Sequence, residues 1–212
     1  MKYLEFKEVF GEFPLISSSH LFNVTSKPRS LRNRLTAWQR KGLVVKLRRG
    51  LYILNERERK VNPSRIFIAN ALYSPSYVSS EYALGYYDLI PERVRDVTSV
   101  TTKKTTRFEN PLGTFRYQHL KPELFFGFIQ TQDENGLPLL VAEPEKAILD
   151  FIYLNLQDFR DKERDVFTLS YRFQNLENLR RAKLELFGKR YRNKVFLSVV
   201  KNLLAFIAKE DS

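Results

Sequence analysis

The chain has 212 residues, 43% of them hydrophobic, with no cysteine and only two histidines, His20 and His119. That composition suits a folded, core-forming protein and excludes a disulfide frame, a thiolate nucleophile and a zinc site built from Cys/His pairs. A net charge of +12 points to polyanionic partners. The apolar stretches fall short of the roughly 18 residues a membrane helix needs. Met1 to Phe6 alternates charged and apolar residues instead of building a signal-peptide core. The expectation is a soluble, cytoplasmic chain with no membrane contact.

The positive charge is concentrated. Residues 1–60 hold fourteen Lys or Arg against five Glu, a balance of +9, whereas residues 61–212 hold 22 against 19. Between Phe13 and Asn55 there is no acid at all. A merely solubilising surface mixes signs, so a one-sign block of this length reads as an electrostatic footprint.

In chain order, Tyr3, Phe6, Val9 and Phe10 recur at helical spacing, and Gly11 with Pro14 ends that helix. Ser17 is a candidate N-cap for a short helix to Phe22. A third helix is predicted from Pro28 to Lys41, with Leu31, Leu35 and Trp38 as one apolar stripe. After Gly42, Leu43 to Leu47 and Leu51 to Leu54 flank Arg48-Arg49-Gly50 and read as a hairpin. Three helices and a hairpin follow the order of a winged helix-turn-helix DNA-binding domain, here residues 1–58.

In that arrangement the third helix enters the major groove of double-stranded DNA. Arg32, Asn33 and Thr36 are the candidates for base edges, since Arg grips guanine and Asn adenine in bidentate fashion. Arg29, Arg34 and Arg40 suit phosphates, and Lys27 and Lys41 extend the footprint at the ends of the helix. Lys46, Arg48 and Arg49 lie at or beside the hairpin tip, within reach of the backbone or an adjacent minor groove.

Glu56 to Lys60, of mixed sign, reads as a linker to a second domain over 62–212. Helices are predicted at 65–72 and 79–88, then strands at 97–101, 105–108, 114–119, 125–130 and 139–141. Helices at 145–156, 176–187 and 194–209 follow. The fold class is therefore α+β: the N-terminal head, then an α+β domain with a mixed or antiparallel sheet and a helical C-terminal tail.

Three segments, in order, resemble the AbiEi-type antitoxins of bacterial type IV toxin–antitoxin systems. They are Arg48 to Tyr52, Tyr77-Val78-Ser79-Ser80-Glu81-Tyr82-Ala83-Leu84, and Val141-Ala142-Glu143-Pro144-Glu145-Lys146-Ala147-Ile148-Leu149-Asp150. The similarity spans about residues 5–155. It implies an N-terminal winged helix that represses its own operon and a C-terminal domain that counters a nucleotidyltransferase toxin.

A second function class is a DNA-targeted, metal-dependent nuclease. Glu143-Pro144-Glu145-Lys146 follows a strand and has the acids and lysine of such a site. Against it, Glu145 and Lys146 fit the first turn of a helix, with Asp150 one turn on as an exposed or capping partner of Lys146. No phosphate-binding glycine loop and no nucleophile elbow is present. No enzymatic activity, cofactor or metal is expected. Tyr82, Tyr86, Tyr87 and Tyr117 form an aromatic set suited to packing on a sheet or to stacking bases. Lys103, Lys104 and Arg107 form a small second basic patch.

Overall fold

The computed structural model describes residues 1–24, 28–159 and 166–210. The N-terminal region runs α1 (Tyr3–Phe10), β1 (Ile16–Ser17), α2 (Ser18–Asn23), α3 (Pro28–Arg40), β2 (Val44–Arg48) and β3 (Leu51–Leu54). Ser17 caps α2 by accepting the His20 N–H at 3.3 Å. The two-residue strand β1 has too little pattern to be read from sequence. It completes a three-stranded antiparallel sheet of order β1-β3-β2.

The second region contains α4 (Arg65–Leu72), β4 (Ser76–Val78), α5 (Ser80–Tyr86), β5 (Val97–Thr101), β6 (Thr106–Asn110) and β7 (Gly113–His119). It continues with β8 (Phe128–Gln132), β9 (Pro138–Ala142), α6 (Pro144–Leu154), α7 (Leu156–Phe159), α8 (Arg181–Arg190) and α9 (Lys194–Glu210). Its six-stranded sheet has the order β6-β7-β5-β4-β9-β8 and is mixed, because β4–β9 and β5–β7 are parallel pairs. The chain is thus α+β with C-terminal helices. In register, Val78 lies opposite Ser99 and Ser99 opposite Tyr117, while Tyr77 lies opposite Val100. Tyr77 and Tyr117 therefore point to opposite faces. The Tyr117 hydroxyl donates to Ala69 O on α4 at 2.6 Å, and the Tyr77 hydroxyl donates to Asp150 on α6 at 3.0 Å.

Two differences from the sequence expectation have clear causes. The helix expected over 176–187 is broken into a single 3₁₀ turn, Leu176–Asn178, and α8. In a continuous helix the Arg180 N–H would bond Leu176 O, but the Glu145 carboxylate takes it at 3.1 Å. Asp150 is not an exposed partner of Lys146, because both side chains are fully buried. Asp150 accepts from Tyr77, from Ser79 Oγ at 2.8 Å, from Tyr191 at 2.7 Å and from Lys146 Nζ. Lys146 Nζ also donates to the Tyr191 hydroxyl at 2.7 Å and lies 4.8 Å from the Phe126 ring centroid. Burial holds the Lys146 ammonium below its ordinary pKa and pushes Tyr77 and Tyr191 well above theirs.

Two outcomes follow from this network. Lys146→Ala or Asp150→Ala alone leaves an uncompensated buried charge and lowers unfolding free energy by about 3–5 kcal/mol, and Lys146→Met with Asp150→Leu does not recover that loss, because the Tyr77, Ser79 and Tyr191 hydroxyls lose their acceptor. Urea denaturation of the three variants checks this. Tyr77, Tyr191, Tyr117 and Tyr87 are all held protonated by burial, Tyr87 up to about 12. A raised phenol contributes stability that is present below its unfolded pKa near 10 and is lost as pH rises towards its folded value. Lys146 acts in the opposite sense, but it is one group against four. Thermal melts should therefore fall steeply above about pH 10, with tyrosinate absorbance of these four appearing only on unfolding.

Candidate nucleic-acid interface

Helix α3 is built on a narrow apolar stripe. Leu31, Leu35 and Trp38 are buried in one core with Phe6 and Phe10 of α1 and Leu21 of α2, and the Trp38 ring centroid lies 4.8 Å from Phe6 and 5.5 Å from Tyr3. Each such side chain stabilises the packing by roughly 1.5–3 kcal/mol. At 100° per residue, Asn33, Thr36 and Arg40 then point directly away from the core, and all three are exposed. Arg32 and Arg34 lie on opposite flanks of that outward face. The Arg32 guanidinium sits over the half-exposed Phe22 ring of α2 at 5.9 Å, and Arg34 Nη1 donates to Met1 O beside α1. The Thr36 hydroxyl donates to Arg32 O at 3.1 Å.

Lys41 follows α3 directly and is exposed, as are Lys46 on β2 and Arg49 at the hairpin turn. Among the described residues, Arg32, Arg40, Lys41, Lys46 and Arg49 enter no ion pair, whereas Lys7 and Lys60 are matched to Glu58 and Glu12 at 2.8 and 2.9 Å. The charge on the α3 face and hairpin is therefore left without an internal counter-charge. Lys27 and the Arg29 side chain lie outside the described residues.

The hairpin turn is anchored to the rest of the head. Ser18 N donates to Gly50 O at 2.9 Å, and at φ 77° a Cβ on Gly50 would meet Ser18 Oγ at 2.7 Å, so glycine is required there. Arg48 differs from its neighbours. It is half-buried, its Nε is enclosed with no partner, and its Nη1 donates to Arg49 O at 3.1 Å. Its charge bears on the Tyr117 phenol, weakly opposing the upward push of burial. Beside it, Asn110 Nδ2 donates to Leu47 O at 3.3 Å, joining β2 to the end of β6. Arg48 thus faces the junction with the six-stranded sheet, which a linear pattern of cations gave no means of foreseeing.

The acid–lysine segment at the start of α6 is turned inward. Glu145 is buried and accepts from Arg180 Nε at 3.0 Å, and Glu143 meets Lys183 and, at 3.5 Å, Arg180. Both carboxylates serve to fasten the C-terminal segment to α6. In the second basic patch, Arg107 pairs with Glu109, Lys103 donates to Ser74 O, and Lys104 is exposed.

Compared with known proteins, the chain matches no family model and no curated protein.

The different surroundings of Arg40 and Arg48 give opposite expectations. Arg40→Ala should reduce the salt slope of duplex binding by about one, with little effect on melting. Arg48→Ala should leave the slope unchanged and lower the melting temperature, because the packing of its stem at the junction is lost. Duplex titrations at several salt concentrations, alongside thermal melts, separate the two.

Proposed function

We propose that the chain is a DNA-binding transcriptional regulator whose first 58 residues act as a winged helix-turn-helix head. The observation that carries this is the α3 face: Asn33, Thr36 and Arg40 opposite the buried stripe, flanked by Arg32 and adjoined by Lys41, Lys46 and Arg49, with none of these cations neutralised internally. The element order α1-β1-α2-α3-β2-β3, with a sheet of order β1-β3-β2, is the arrangement such a head uses to present one helix to a groove. A major groove about 12 Å wide admits a helix of this kind.

In this role Asn33 and Arg32 read base edges, the Thr36 methyl can meet a thymine methyl, and Arg40, Lys41, Lys46 and Arg49 hold phosphates. The resemblance of the motifs at 48–52, 77–84 and 141–150 extends the proposal to repression of the chain's own operon. It also assigns the second domain, 62–212, to opposing a nucleotidyltransferase toxin as a type IV antitoxin. No reaction and no cofactor is assigned to the chain, and its partners are operator DNA and, functionally, the toxin.

Titration against duplex from the gene's own upstream region tests the proposal. With these four phosphate contacts, at roughly −0.9 per contact, log affinity should fall against log salt with a slope of about −3.6. Arg32→Ala should weaken binding by about 1–3 kcal/mol and relax the sequence preference at one position. A salt-independent affinity, or one unchanged by both Arg32→Ala and Asn33→Ala, would remove the α3 face from DNA recognition.

A further inference from the structure

Of the four tyrosines in the aromatic set, two have structural roles. Tyr117 is buried with its hydroxyl on Ala69 O, and the Tyr87 hydroxyl donates to Ala142 O at 2.9 Å. Tyr82 and Tyr86 differ. They stand one turn apart on α5, so their rings share a face, and Tyr86 is 50% exposed. A cleft of about 440 Å³ on this face includes Arg65 in its lining, and an adjoining one of about 210 Å³ includes Arg93; both tyrosines line each cleft.

Arg65 has an unusual setting. Its guanidinium carbon lies 5.9 Å from the ring centroids of both Tyr82 and Phe115, and its Nε is enclosed with no hydrogen-bond partner. It is packed so closely on Gly113 that a Cβ there would sit 2.6 Å from Nη2. Among the described residues neither Arg65 nor Arg93 enters an ion pair or a hydrogen bond through its side chain. The carboxylates nearby are already engaged: Asp133 accepts from the N–H groups of Ser64, Asn135 and Leu137, and Glu92 binds Arg172. Among the described residues that line the two clefts, Glu134 is an exposed carboxylate with no such partner.

Two rings on one face, with an uncompensated guanidinium beside each cleft, match the alternation of bases and phosphates along an unpaired strand. We propose that this face of α5 binds single-stranded nucleic acid. Bases stack on Tyr86 and Tyr82, and phosphates meet Arg65 and Arg93. A duplex keeps its bases stacked on each other and so has no face to offer these rings. The proposal stands apart from duplex recognition by the head, since none of its residues lies in 1–58.

Fluorescence anisotropy of the full chain with labelled oligo(U) and oligo(dT) of about 12 nucleotides, with uridine monophosphate as competitor, tests it. The expected result is binding that Tyr86→Ala and Arg65→Met each weaken about tenfold or more, that Tyr86→Trp preserves, and that leaves duplex affinity unaltered. Tighter binding of one oligomer supports the site and shows whether RNA or DNA is its strand. The proposal is overturned by an absence of oligomer binding, by wild-type affinity in Tyr86→Ala, by loss through Arg32→Ala instead, or by a mononucleotide that binds as tightly as either oligomer. Should Arg65→Met fail to fold, the solvent-facing Tyr86 variants decide alone.

Discussion

A single buried carboxylate ties the larger part of the molecule together. Asp150 accepts from Tyr77 on β4, Ser79 at the start of α5, Lys146 on its own helix and Tyr191 at the end of α8. Removing an ion pair from water costs several kcal/mol per ion, so this arrangement persists only because every lone pair and every ammonium proton has a partner or an aromatic face. Sheet, first crossover and C-terminal tail are held in register by that requirement. Glu145 and Glu143, one turn earlier, add outer fastenings to Arg180 and Lys183.

The head has its own core of Phe6, Phe10, Ile16, Leu21, Leu31, Leu35, Trp38, Val44 and Leu54. Its hairpin nevertheless sends Leu47, Leu51 and Ile53 into the core of the second region, together with Leu15 from the segment before β1. The β2–β3 hairpin is therefore a layer shared between two cores. That sharing sorts its cations: Lys46 and Arg49 are turned to solvent, and Arg48 is drawn into the junction beside Tyr117. In the proposed role, a hairpin anchored at Ser18 and Asn110 would meet DNA as a fixed surface rather than a mobile wing.

Legibility in the sequence varied with the range of the forces involved. The α3 stripe, the Ser17 cap and the hairpin are set by contacts a few residues apart, and they stand where periodicity and turn chemistry placed them. The helix expected over 176–187 failed because Glu145, some 35 residues earlier, captures the Arg180 N–H. The acids and lysine at 143–150 looked like a surface turn because (i, i+4) spacing is the same whether the pair is wet or buried.

By itself the sequence determined the concentration of positive charge in the first sixty residues, the helix that presents it, and the α+β order of elements. Each follows from local spacing and side-chain type. Only the tertiary structure decided which cations remain free, that Lys146 and Asp150 are interior, and that the hydroxyls of Tyr87 and Tyr117 are tied to backbone carbonyls while Tyr82 and Tyr86 line the clefts beside Arg65 and Arg93. Burial and ion pairing depend on what the chain brings up from far away, and no pattern of neighbouring residues encodes that distance.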